Sequence, residues 1–288
     1  MTNAPPDPRL NAHRPDLAAE SLRGKVDAPR YVTGTRRRVR RAAVPVRREP
    51  KPSLGLETEA LFGEIVTVYD EADGWAWIQL EHDNYVGYVP ADTLTAPAEP
   101  THRVSATGTF LYAEEDIKSP PLMHLSINSR LTVTHQGDRF GRLRDGGFVI
   151  SRHIAPIDRI ARDFVDVAER LIGTPYLWGG RTRIGLDCSG LIQISMQAAG
   201  LPCPRDTDMQ QASLGESVLI PDSLEGLQRG DIVFWRGHVG VMSDGVMLVH
   251  ANAHHMAAVT EPLSVAVRRI SRAGSEIAAI RRLPALTA

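Results

Sequence analysis

Apolar and polar positions alternate along most of the first half of this chain and change period sharply near residue 157. Ile65-Val66-Thr67-Val68-Tyr69, Trp75-Ala76-Trp77-Ile78-Gln79-Leu80 and Tyr85-Val86-Gly87-Tyr88-Val89 repeat every second residue. Asp73-Gly74 and His82-Asp83-Asn84 separate them, so the stretch reads as strands joined by tight turns. A weaker copy follows in Arg130 to Thr134, Gly141 to Leu143 and Gly147 to Ile150, about fifty-five residues on, which suggests duplication. From Ile157 the spacing becomes helical: Ile157, Ile160, Ala161, Phe164, Ala168, Leu171 and Ile172 fall on one face, and Gly173 ends the pattern. A second helix is expected to begin at Asp187-Cys188, with Asp187 as N-cap, to continue through the apolar run Leu191 to Ala199, and to end at Gly200, which supplies the left-handed residue. Strands should then dominate, at 232–235, 238–242, 246–251, 266–270 and 277–283.

Four segments result. Residues 1–50 are an N-terminal strap, partly extended or helical, with a short helix expected between Pro15 and Val26. Residues 51–98 and 101–156 are two small all-β units joined by a Pro-containing linker, and 157–288 form an α+β domain. A chain of 288 residues is long enough for such an arrangement. With a net charge of -1 the whole chain has no field to steer it to nucleic acid or acidic lipid. The one basic block, Arg36-Arg37-Arg38-Val39-Arg40-Arg41, is read as part of a strap lying on acidic surfaces of its own protein. No apolar run reaches the eighteen or so residues of a membrane span, and the N-terminus lacks a signal-like pattern. With two cysteines, Cys188 and Cys203, a disulfide framework is not expected, and a reducing, cytoplasmic setting is. Trp75, Trp77 and Trp178 are read as core, Cys203 as structural, and His254 and His255 as solvated loop residues.

The candidate chemistry sits in the last segment. Cys188 falls in the first turn of the second helix, where free N–H groups and the helix dipole favour a thiolate. A histidine from a distant strand would complete an activated cysteine nucleophile. Ser243-Asp244-Gly245 is a hairpin signal; with a three-residue loop Met242 faces Val246 and His238 faces His250 on one side of the sheet, whereas a two-residue loop would separate them. In the first register His238 is the general base and His250 fixes its orientation.

Two resemblances sharpen this. The first all-β unit resembles a bacterial SH3-like barrel, and the second is read as a diverged copy. Tyr176-Leu177-Trp178-Gly179-Gly180, Asp187-Cys188-Ser189-Gly190, Arg205-Asp206-Thr207, Gly230 to Phe234, His238-Val239-Gly240-Val241 and Val249-His250-Ala251 resemble the ordered motifs of NlpC-type cysteine peptidases, papain-like hydrolases of cell-wall peptides. With SH3-like units upstream, the chain looks like the γ-D-glutamyl-L-diamino acid endopeptidases. That resemblance implies Cys188 as nucleophile, His238 as base, His250 as third polar residue and Tyr176 beside the oxyanion. It implies a substrate pocket lined by Asp187, Ser189 and Thr207, with an acidic side chain and a tyrosine from the first barrel: Glu59 and Tyr85, or alternatively Glu57, Glu64 and Tyr88. The implied substrate is a short peptidoglycan peptide with a free N-terminal L-Ala, whose ammonium needs a paired carboxylate when enclosed. Neither metal nor cofactor is implied, and a monomer is expected. The alternatives are an exported hydrolase of intact peptidoglycan and a non-catalytic wall-binding module.

Overall fold

The computed structural model describes residues 6–219 and 223–284, and the chain divides into two compact units, Met1–Asp158 and Arg159–Ala288. Both are rich in strand.

In the first unit a five-stranded antiparallel sheet runs in the order Leu94–Thr95, Thr35–Val39, Ile65–Ala72, Trp75–Leu80, Val86–Pro90. Asp73 and Gly74 both take positive φ, 51° and 78°, the geometry that a two-residue hairpin turn needs. The hairpin Ala43–Val46 with Thr58–Leu61 adds a further layer, and Val39, Val44, Val66, Ile78 and Val89 fill the space between. The all-β fold therefore begins earlier than position 51: residues 35–46, expected as strap, supply one strand of this sheet and one strand of the added hairpin. Pro15 to Val26 is not a helix either. It holds the strand Leu17–Ala19 and a 3-10 turn, Glu20–Leu22, whose Leu17 and Leu22 pack on Trp77. Of the basic block, Arg36 pairs with Glu81 and Glu99, and Arg38 with Asp145.

The rest of this unit forms a second five-stranded sheet, Pro121–Ser126, Gly108–Tyr112, Phe148–Ile150, Phe140–Leu143, Val133–Gln136, beside a three-stranded one, over a core of Val104, Leu111, Leu125, Leu131 and Val149. Each half ends alike. A three-stranded meander is followed by a 3-10 turn, Ala91–Thr93 or Ser151–His153, and a short strand.

The second unit is built on a six-stranded antiparallel sheet in the order Glu216–Val218, Ile277–Arg282, Ile232–Trp235, His238–Met242, Met247–Asn252, Ala257–Pro262. Helices α1 (Phe164–Arg170), α2 (Cys188–Ala198), α3 (Thr207–Ser213) and α4 (Leu263–Arg272) surround it. The α2 helix packs on the 238–242 and 247–252 strands, and α4 on 247–252 and 257–262. Every residue of α2 from Cys188 to Met196 is buried. A helix buried on all sides belongs inside a core, and burying each of Leu191, Ile192 and Ile194 stabilises it by roughly 1.5–3 kcal/mol.

Three expectations fail here for identifiable reasons. The helix expected from Ile157 starts only at Phe164, because Asp163 caps it by accepting the Val165 N–H at 2.8 Å. Residues 266–270 are helix α4 rather than strand: Leu263, Ala266, Val267 and Ile270 recur at three- and four-residue spacing and pack on the sheet. The missing partner strand is 257–262 instead. Trp178, read as core, is 69% exposed.

Candidate active site

The site begins with the cap of α2. The Asp187 Oδ1 accepts the Gly190 N–H at 2.7 Å, and its Oδ2 accepts the Gly179 N–H at 2.8 Å. One carboxylate thus holds both the helix start and the loop before it. Gly190 has to be glycine, since a Cβ there would lie 2.3 Å from the Gly180 carbonyl oxygen. The Arg205 guanidinium, itself buried, grips the same carboxylate at 3.0 and 2.7 Å and donates to Ser189 Oγ at 2.8 Å. A two-pronged pair of this kind fixes direction as well as charge. Asp187, expected to face a substrate ammonium, and Ser189, expected to line the same pocket, therefore have internal partners for their polar atoms. Arg205 opens the Arg205-Asp206-Thr207 motif, and its pairing with Asp187 is invisible in a linear sequence because the two lie eighteen positions apart.

Cys188 is buried, and the neighbouring Val239 N–H donates to its sulfur. Thr207 Oγ1, at the start of α3, lies 4.0 Å from that sulfur. Burial and the Asp187 charge push the thiol up to about 11, overriding the opposing pull of the Val239 N–H, Thr207 and Arg205. This corrects the expectation that the helix start would lower it: the dipole acts at the site, yet desolvation is the larger effect. Tyr176 is brought in by the chain just before the helix. The Gly173 N–H donates to the Ala258 carbonyl and the Tyr176 N–H to the Met256 carbonyl, so this segment docks on the sheet's edge strand. Burial first, and then the charges of Cys188 and Asp187, raise the Tyr176 phenol to about 12, so it remains a hydrogen-bond donor at neutral pH.

His238 Nε2 and His250 Nδ1 are 2.9 Å apart. The register that brings them together differs from the expected one. Met242 pairs with Leu248 and Val241 with Val249, so Gly240 rather than His238 stands across from His250. The shift is two residues, which preserves the face of the sheet, and the imidazoles meet diagonally. Its cause is Asp244, whose Oδ1 accepts the N–H groups of Val246 and Met247 at 2.7 Å and moves the turn one residue along. Beyond His250, its Nε2 lies 2.8 Å from Glu261 Oε1 and 3.0 Å from Asn252 Nδ2, and Glu261 pairs with Arg269. Burial, followed by the nearby cationic groups, lowers both histidines to about 3. The resting site thus holds a neutral thiol and two neutral imidazoles. Sequence reasoning missed Glu261 because the strand that carries it was not foreseen.

Cys188, His238, His250, Thr207 and Tyr176 are thus assembled in one unit. Glu59 and Tyr85 belong to the other. Tyr85 is buried in the core with Val44 and Ile78, and Glu59 is buried on the Thr58–Leu61 strand. His254 and His255 are exposed, with the His255 N–H bonded to Asn252 Oδ1, and no cluster of metal-ligating side chains occurs among the described residues.

Comparison with known proteins defines the class. Residues 173–270 match the NlpC/P60 family, and residues 46–94 match the bacterial dipeptidyl-peptidase Sh3 domain. The chain therefore carries an SH3-like domain in its N-terminal unit and, in its C-terminal unit, a domain of the NlpC/P60 peptidase family. It is 28% identical over 228 residues to the gamma-D-glutamyl-L-lysine dipeptidyl-peptidase of Bacillus cereus, an alignment covering 70% of this chain and 64% of that protein. Its identity to the protein of the same name from Bacillus subtilis is 27% over 218 residues, or 68% of this chain and 72% of the other. The chain thus spans about two thirds of the length of these relatives. The crystal structure of an NlpC/P60 family protein from Bacillus cereus ATCC 10987 superposes with a TM-score of 0.73 at 22% identity, covering 87% of this chain and 100% of that one. That likeness concerns the fold.

Proposed function

We propose that this protein is a cysteine endopeptidase that hydrolyses the γ-D-glutamyl-diamino acid bond of short peptidoglycan peptides with a free N-terminal L-Ala. The observation that carries the reading is that the Val239 N–H donates to the Cys188 sulfur at the start of α2, while the adjoining His238 bonds His250 and His250 bonds Glu261. The names of the two Bacillus relatives support the choice of bond. In this reading the second all-β half is a diverged SH3-like barrel, the catalytic unit is papain-like, and the protein works in the cytoplasm on soluble peptides.

The chemistry starts from the neutral pair. When substrate arrives, the Cys188 proton passes to the free nitrogen of His238 as sulfur attacks the γ-carbonyl of D-Glu. The Cys188 N–H and the Tyr176 hydroxyl donate to the developing oxyanion. Imidazolium His238 gives its proton to the leaving amine of the diamino acid. Water, deprotonated by the same imidazole, then cleaves the thioester and releases L-Ala-D-Glu. Thr207 borders the sulfur and helps shape the pocket, while Asp187 and Ser189 act through Arg205 as its frame.

Incubating the protein with L-Ala-γ-D-Glu-L-Lys and with the meso-diaminopimelate analogue tests the reading by mass spectrometry. Release of L-Ala-D-Glu, abolished in Cys188→Ala, is expected. Absence of cleavage, or equal cleavage by the variant, rejects it. Cleavage of intact sacculi in preference to the free peptides would instead favour a wall hydrolase.

A further inference from the structure

The contacts around His250 set two opposite demands on one nitrogen. Its Nε2 faces Glu261 Oε1 at 2.8 Å, which asks for an N–H there, and Asn252 Nδ2 at 3.0 Å, which asks for a lone pair. The Asn252 amide cannot simply turn over, since its Oδ1 is held by the His255 backbone N–H at 2.8 Å. A neutral imidazole satisfies only one of the two.

We infer that Glu261, ion-paired with Arg269, is the positioning residue that decides this contest and thereby sets the tautomer of both histidines. Salt-bridged to Arg269, Glu261 is an acceptor only, so His250 carries its proton on Nε2. His250 Nδ1 is then a lone pair, and it accepts the Nε2–H of His238 across 2.9 Å. That leaves His238 Nδ1 unprotonated, and it is the ring nitrogen not used by His250, on the residue next to the Val239 N–H that contacts the Cys188 sulfur. In the proposed mechanism this lone pair is the one that takes the thiol proton. Consistent with this, Glu261 is the group that raises the basicity of His238 against burial and the charge of Arg269. Remove the carboxylate and Asn252 wins: its N–H donates to His250 Nε2, the proton moves to His250 Nδ1, that N–H points at His238 Nε2, and the His238 proton sits on Nδ1, the nitrogen that must act as base.

This inference rests on the proposed catalytic reading, but its test does not need turnover. In the full-length protein labelled with 15N-histidine, long-range proton–nitrogen correlation at neutral pH reports which nitrogen of each ring is protonated. Nε2–H forms of His238 and His250 are expected in the wild type. A wild-type His250 in the Nδ1–H form overturns the inference even if every variant fails to fold. In Glu261→Ala both rings should switch to Nδ1–H, and the rate of Cys188 alkylation should fall on the order of tenfold or more. Glu261→Gln, which keeps an oxygen between Arg269 and His250, should retain the wild-type tautomers and most of that rate. The double variant Glu261→Ala with Asn252→Ala should recover part of it by removing the competing donor. Unchanged tautomers in a folded Glu261→Ala protein reject the idea. If the NMR result holds but no peptide is cleaved, the substrate reading fails and the tautomer assignment stands.

Discussion

Gly240 lies across the sheet from His250, and a Cβ on it would come 3.0 Å from the His250 Cβ and 2.9 Å from Leu248. The missing side chain is the gap through which the imidazole leans diagonally onto His238. Gly240→Ala should therefore cost about 1–3 kcal/mol of stability from overpacking and should lower kcat more than KM. Urea unfolding combined with peptide turnover checks both. Wild-type kinetics in a folded Gly240→Ala protein would show that the close approach is not needed.

The Asp187–Arg205 pair is buried on both sides, with side-chain exposures of 10% and 1%. Removing one member leaves a buried charge alone, which typically costs 3–5 kcal/mol, on the order of a small domain's whole stability. Arg205→Ala should lower the urea midpoint strongly and free the start of α2. A loss below about 1 kcal/mol would mean that the pair is hydrated or easily replaced.

Alkylation of Cys188 should depend on pH in an unusual direction for a catalytic cysteine. Because burial and Asp187 raise the thiol to about 11, the resting protein has little thiolate at neutral pH. Iodoacetamide reactivity should climb through pH 9 and 10 without a plateau near 7. A plateau already established at pH 6–7 would reveal a thiolate–imidazolium pair instead.

Stability should fall on the acid side before the carboxylates titrate. The folded pKa of His238 and of His250 is depressed from 6.5 to about 3, so between these values the unfolded chain binds protons that the folded chain does not. Stability from this source is complete above pH 6.5 and is lost progressively as pH falls towards 3. Replacing His250 with Gln should flatten the dependence of Tm on pH in that window. An equal slope in the variant would remove His250 as its source.

Much of the candidate site's structure was legible because it is local. Asp187, Cys188 and Gly200 announce a capped helix through residue type and spacing alone, and Asp187 does accept the Gly190 N–H. Legibility fails where partners are remote or where a side chain overrides the pattern. Arg205 is an ordinary arginine until the fold buries it against Asp187. Glu261 sits on a strand too polar at its outer end to be read as one, followed by a helix whose two valines, Val265 and Val267, mimic alternation. The hairpin register turned on the single oxygen of Asp244, and only the parity of the shift kept His238 and His250 on the same face.

Cys188 belongs to a helix with no solvent face from Cys188 to Met196. Such a segment cannot fray or open by itself, because loosening one turn exposes core on every side. The amide hydrogens of Leu191 to Met196 should exchange with solvent only through global unfolding. Heat inactivation and melting of this unit then become a single event, with no partly warmed state in which α2 opens while the rest of the unit survives.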